Sequence, residues 1–259
     1  MSSAGVTEAR LGELTVRRVG FGAMQLPGPG VFGPPRDHDE AIAVLRRAVE
    51  LGVNHIDTAQ YYGPDVANRL IREALHPYPD ELVLVSKVGS VRDASGGWVP
   101  AQRPEQLRSA VDDNLRTLGV ERLGAVNLRL MGGHTLPSEQ TVPMEDQLAE
   151  LVALREEGKI AGVGISTADL AQVEQAIEQA GIVCVQNAYS LVDRSDAEVL
   201  DLCKRRGIAY VPYFRSGRRS RTRPGSPTSP PSGPWRNDWT SRRRRWAWPG
   251  CWPRGTRCC

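Results

Sequence analysis

"NHIDTAQYYG", residues 54–63, begins as an apolar run and finishes on aromatics and glycine. Asp57 stands near the end of the run, and Tyr61 and Tyr62 follow in what reads as a loop. A strand buried on both faces keeps its polar residues at its end, which is where a parallel α/β fold gathers its chemistry. A second run, "LVLVSKV" (82–88), closes on Lys87. Desolvating an ammonium is costly without a carboxylate beside it, so Lys87 calls for Asp57 on the neighbouring strand. A cation beside a phenol favours the ionised form. The expectation is therefore that Lys87 lowers the Tyr62 pKa and makes it a proton donor near neutral pH.

The same alternation of β-branched runs with longer amphipathic segments recurs through Phe214. Strands are expected near Val19–Ala23, Asn54–Thr58, Leu82–Val88, Ala125–Met131, Gly162–Ser166, Val183–Asn187 and Ala209–Phe214. Helices are expected near Asp39–Leu51, Asp65–His76, Pro104–Leu118, Met144–Glu157, Ala168–Gln179 and Ser195–Arg206. "RPEQLRSAVDDNLRTLG" carries proline in its first turn and glycine at its end, which are helix start and stop signals. Repeated βα units allow either a (β/α)8 barrel or a doubly wound sheet. The doubly wound dinucleotide fold wants G-x-G-x-x-G after its first strand, and "GFGAMQLPGPG" supplies Gly20 and Gly22 but Gln25 in the third place. Polar residues collected at strand ends favour the barrel. The predicted fold is thus α/β, a (β/α)8 TIM-type barrel over residues 1–214, incomplete after its seventh strand.

The chain has 259 residues, 40% of them hydrophobic, enough for one large core. No apolar stretch reaches transmembrane length, and the first ten residues lack the apolar core of a secretory signal, so a cytoplasmic protein with no membrane partner is expected. The five cysteines show no Cys-x-x-Cys spacing, which suggests reduced thiols, no disulfide framework and no metal site. Net charge is +3, yet residues 215–259 hold 12 arginines against one acid, Asp238, so the body is acidic and the tail strongly basic.

"HIDTAQYYG", "VSKV", "GVGIST", "VQNAYS" and "YVPYF", in this order, resemble the aldo-keto reductase family over residues 10 to 214. The resemblance implies a (β/α)8 barrel and hydride transfer from NADPH to an aldehyde or ketone, a small-molecule carbonyl substrate. It assigns Asp57, Tyr62 and Lys87 to catalysis, with Tyr62 protonating the carbonyl oxygen. The family's fourth catalytic residue is a histidine ending the fourth strand; here "LGAVNLRLMGG" has Arg129 in that place and Gly124 where an aspartate usually stands, and His134 lies too far along. A guanidinium there suits either developing charge on the carbonyl oxygen or a carboxylate on the substrate; the alternative is an interior arginine paired with an acid. For the cofactor, the resemblance implies that Ser166, Thr167 and Gln186 hold the nicotinamide carboxamide. It also implies that Tyr213 stacks on the ring and that Ala23 and Met24 lie beside the ribose. Trp98, in the loop "VGSVRDASGGWVPAQRP", is either a pocket wall or a loop anchor.

From Arg215 the sequence loses all strand or helix period and contains five of the six tryptophans but no Val, Ile, Leu or Met. Such a stretch, 215–259, is expected to be a disordered Arg/Pro/Trp-rich tail. Two origins compete: a reading-frame shift in a GC-rich gene, which is favoured because shifted codons yield an apolar helix-like segment, and a basic aromatic tail for single-stranded nucleic acid. On the first reading no specific nucleic-acid partner is expected. Three functions stand at this stage: an NADPH-dependent carbonyl reductase, a non-catalytic barrel of the same family, and a nucleic-acid-binding protein. Oligomeric state is not legible.

Overall fold

The computed structural model describes residues 8–131 and 142–213. The expectations for the tail and for His134 lie outside these residues. The chain begins with an antiparallel hairpin, β1 (Glu8–Leu11) and β2 (Leu14–Arg17). There follow β3 (Phe21–Gly22), α1 (His38–Glu50), β4 (His55–Asp57), α2 (Val66–Leu75), β5 (Val83–Arg92), β6 (Trp98–Ala101) and α3 (Pro104–Leu118). The remaining elements are β7 (Ala125–Arg129), α4 (Met144–Glu156), β8 (Val163–Ser166), α5 (Leu170–Ala180), β9 (Cys184–Gln186), α6 (Ala197–Arg206) and β10 (Ala209–Tyr210).

Strands β3, β4, β5, β7, β8, β9 and β10 pair in parallel and in chain order, with β3 and β10 at the edges. A doubly wound sheet reverses its order at a switch point; this one never does, so every crossover helix falls on one face and the sheet curls into a barrel wall. The barrel expectation therefore holds, with seven parallel strands among the described residues. The hairpin β1–β2 and strand β6, which runs antiparallel to the extended end of β5, were not expected from the sequence.

Side chains alternate along each strand between two cores. Ile56, Leu84, Leu128, Ile165 and Val185 point outward against the helices. Val83, Val85, Ala125 and Cys184 point inward, where Leu11 and Val16 of the hairpin join them. The hairpin closes the N-terminal end of the barrel: the Arg17 backbone N–H donates to Asn54 Oδ1 at 2.7 Å. With that end filled by apolar residues, the polar ends of the strands face the opposite mouth.

The helix boundaries follow local chemistry. Asp37 caps α1 by accepting from the Glu40 N–H at 2.9 Å, and Asp169 and Gln172 form a reciprocal capping box on α5. Pro104 starts α3, and Gly119 ends it at φ 71°.

A buried polar network fastens the strand end that carries Asp57 to the helices. Thr58 Oγ1 donates to Asn68 Oδ1 at 2.8 Å, and Asn68 Nδ2 donates to Asn114 Oδ1 and Thr117 Oγ1, each at 2.9 Å. Ser86 donates its hydroxyl to the same Asn114 oxygen. Asn114→Leu should lower the unfolding free energy by about 2–4 kcal/mol, because Asn68 and Ser86 would be left buried without a partner. Urea denaturation followed by circular dichroism measures this, and a loss under about 0.5 kcal/mol would show the network to be dispensable.

Candidate active site

The C-terminal ends of β4, β5, β7, β8 and β9 bring Asp57, Lys87, Arg129, Ser166 and Gln186 to one mouth. Lys87 is almost completely buried, with 4% of its side chain exposed, against 18% for Asp57. Its Nζ donates to both Asp57 oxygens at 2.7 Å and to the Thr58 carbonyl at 3.0 Å, so all three ammonium protons have acceptors. Gln186 Nε2 donates to Asp57 Oδ1 at 2.9 Å. Because an ionised carboxylate only accepts, this bond fixes the Gln186 amide, and its Oε1 is left buried without a partner.

Tyr61 and Tyr62 divide into different roles. Tyr61 is part of the core wall, packed edge-on against Tyr62 (5.4 Å between centroids) and Trp98 (5.3 Å). Tyr62 lies over the ion pair, its ring centroid 5.1 Å from Lys87 Nζ.

The expectation that Lys87 acidifies Tyr62 is corrected by these surroundings. The Tyr62 phenol is pushed well above its ordinary pKa, by burial first and by the Asp57 carboxylate second, and the cation opposing the rise is Arg129. Lys87 has its charge offset at close range by Asp57, so it holds the carboxylate rather than ionising the phenol. Tyr62 is accordingly a neutral phenol, with its proton in place.

Among the described residues no acid lies within ion-pair distance of Arg129. Its guanidinium lies 5.4 Å from the Trp98 ring, and its Nε is buried without a hydrogen-bond partner. Gly89, at φ +99°, makes room for the Arg129 carbonyl: a Cβ there would meet that oxygen at 2.7 Å. Trp98 begins β6 and packs against Tyr61, Arg92 and Arg129.

Of the residues the resemblance assigns to the nicotinamide, Gln186 touches Asp57 and Ser166 pairs in register with Arg129. The Ser166 and Thr167 hydroxyls are 3.5 Å apart, and Thr167 Oγ1 lies 3.4 Å from the Tyr213 hydroxyl. Ala23 and Met24 open a single 3-10 turn directly after β3, with Ala23 fully buried.

Thr167 holds φ +63°, a left-handed conformation that costs a β-branched residue about 1–3 kcal/mol. What imposes it is Asn187, a residue the sequence reading passed over. Asn187 Oδ1 accepts from the Thr167 and Ala168 N–H groups at 2.8 and 3.1 Å. Its Nδ2 donates to the Ala168 carbonyl at 2.7 Å and to Asp196 at 2.9 Å. One signal was available: next to Gln186 in "VQNAYS", Asn187 falls on the outward face of its strand, where an amide needs partners of its own. Asn187→Ala should cost about 1–3 kcal/mol of stability in urea denaturation, and a loss below about 0.5 kcal/mol would show that the turn holds itself.

Comparison with known proteins follows the same lines. The pattern of the aldo/keto reductase family matches residues 18–238. The chain is 49% identical over 209 residues to the pyridoxine 4-dehydrogenase of Escherichia coli strain K12, covering 80% of this chain and 72% of that protein. An aldo-keto reductase from Bacillus halodurans in its holo form shares the fold with a TM-score of 0.67 at 26% identity, covering 80% of this chain and 65% of that one. The glycerol dehydrogenase of Gluconobacter oxydans does so with a TM-score of 0.68 at 25% identity, covering 80% and 62%. The chain thus spans somewhat less than two thirds of the length of these two solved structures. By motif order, sheet topology and these likenesses together, the chain belongs to the aldo/keto reductase family.

Proposed function

We propose that the protein reduces an aldehyde or ketone to an alcohol with NADPH, in the cytoplasm, with Tyr62 as the proton donor. One observation carries the reading: a buried Asp57–Lys87 pair, a neutral phenol above it and an unsatisfied Gln186 oxygen meet at one end of the barrel. The orphaned Gln186 Oε1 suits the amide N–H of a nicotinamide carboxamide, and the Ser166 and Thr167 hydroxyls lie on the neighbouring strand end to complete its recognition. NADPH, when bound, supplies the hydride.

The chain's own residues then supply the proton and the positioning. As the carbonyl carbon gains its new C–H bond, the carbonyl π pair moves to oxygen, and Tyr62 transfers its proton there to form the alcohol. Arg129, the cation acting on the phenol, stabilises the negative charge left on Tyr62 until solvent returns a proton. Asp57 and Gln186 keep Lys87 and the mouth in register.

The relative's name makes pyridoxine and its 4-aldehyde the first compounds to test. Absorbance at 340 nm with NADPH and a panel of aldehydes including that one is expected to fall with time. Absence of any fall with the full chain would refute the proposal; cofactor binding without turnover would favour the non-catalytic barrel.

A further inference from the structure

We infer that Arg92 and Arg129, gathered around the Trp98 indole, form a subsite for an anionic oxygen group, carboxylate or phosphate, carried by the substrate. This rests on the reading that Tyr62 faces a carbonyl compound. The Arg92 guanidinium carbon lies 4.0 Å from the indole centroid and 5.5 Å from the Phe32 ring, and that of Arg129 lies 5.4 Å from the same indole. A guanidinium stacked by its face keeps its N–H edge available in the plane, which is the edge that grips a carboxylate or phosphate. That edge is largely unsatisfied here. Arg92 donates from Nη2 to the Gly30 carbonyl at 2.8 Å, while its Nε and Nη1, and the Nε of Arg129, are buried without partners.

Among the described residues neither cation has an acid within ion-pair distance, and only the Asp93 carboxylate, beyond that distance, acts on Arg92. Lys87 is matched by Asp57, Arg108 by Glu150 and Glu157, and Lys159 by Asp112. Arg69 and Arg116, in the outer groove between α2 and α3, are paired with Asp65 and Asp113. Neither Arg92 nor Arg129 has such a pair among the described residues. The adjacent acid, Asp93, already accepts from the Ser95 and Gly97 N–H groups and the Ser95 hydroxyl through one carboxylate oxygen. Burial lowers the Arg92 pKa, as expected of a cation with little compensation.

Position selects the substrate rather than the cofactor as the ligand. Arg92 and Trp98 sit in the β5–β6 hairpin, whereas the nicotinamide candidates sit on β8, on β9 and after β10. Arg129 acts on the Tyr62 phenol, so an anion held here belongs to the molecule whose carbonyl Tyr62 serves.

The test is isothermal titration of the full chain with three aldehydes: 4-formylbenzoate, 4-formylphenyl phosphate and the neutral methyl 4-formylbenzoate. At least one of the two anions is expected to bind about tenfold or more tighter than the ester, and which one does so identifies the group. Arg92→Gln should reduce that preference by about fivefold or more, Arg92→Lys should retain part of it, and Arg47→Gln on the outer face of α1 should leave it unchanged. Equal affinities, no binding of any probe, or a preference that survives both Arg92 changes would overturn the inference. NADPH turnover is followed separately. Preference without turnover would sink the carbonyl-reductase reading and leave an anion site whose ligand is not a reduced carbonyl, and turnover without preference would overturn this inference and leave that reading standing.

Discussion

Tyr62→Phe is expected to lower kcat for carbonyl reduction by about 10²–10⁴-fold while leaving the fold intact. The change removes one hydroxyl from a ring whose packing, edge-on to Tyr61 and above Lys87, is unaltered. Thermal unfolding should therefore shift little, and NADPH binding should survive, since the orphaned Gln186 oxygen and the Ser166 and Thr167 hydroxyls stay in place. Turnover within about threefold of wild type would remove Tyr62 as the donor. The pH dependence follows from the sign of the shift. A phenol raised by burial and by Asp57 stays protonated through the neutral and mildly alkaline range, so its proton remains available there. In the wild type, kcat should accordingly show no alkaline fall below about pH 9 attributable to this group. A falling limb near pH 7–8 that disappears from the residual rate of Tyr62→Phe would revive the acidified phenol.

Lys87→Met is expected to destabilise the protein by about 3–5 kcal/mol and to abolish turnover. The loss comes from the partner left behind: Asp57, only 18% exposed, would lose its cation and keep, among the described residues, Gln186 as its side-chain donor. Removing both charges separates stability from function. Asp57→Leu with Lys87→Met should recover most of the stability, to within about 1–2 kcal/mol of wild type, because an apolar pair of similar volume substitutes well for a buried ion pair. It should recover none of the activity. Urea denaturation and the 340 nm assay on the single and double variants, with wild type as reference, test the pair. A double variant as unstable as the single one would show that Lys87 matters for packing rather than for charge.

Each part of the site became legible through a different property. The Asp57–Lys87 pair could be read because both residues close apolar runs on consecutive strands of a βα repeat, and consecutive parallel strands lie side by side. The left-handed turn at Thr167 could not be read, since its hold is an amide twenty residues away on the next strand. The tyrosine pair looked alike in sequence, yet closure of the barrel made one a core wall and the other the residue above the ion pair.

Periodicity and terminal residues alone determined seven βα-type strands, six helices and which polar residues close the strands, because burial on a strand or helix leaves a local repeat of 2 or 3.6 residues. The tertiary structure decided the electrostatics. Gln186 reaches Asp57 across 129 residues of chain, Lys87 turns its charge and two of its protons to that carboxylate, and Arg129 is the cation that acts on the phenol. Charge interactions depend on which groups approach within a few ångströms in a dry site, and only the closing of the sheet sets those distances.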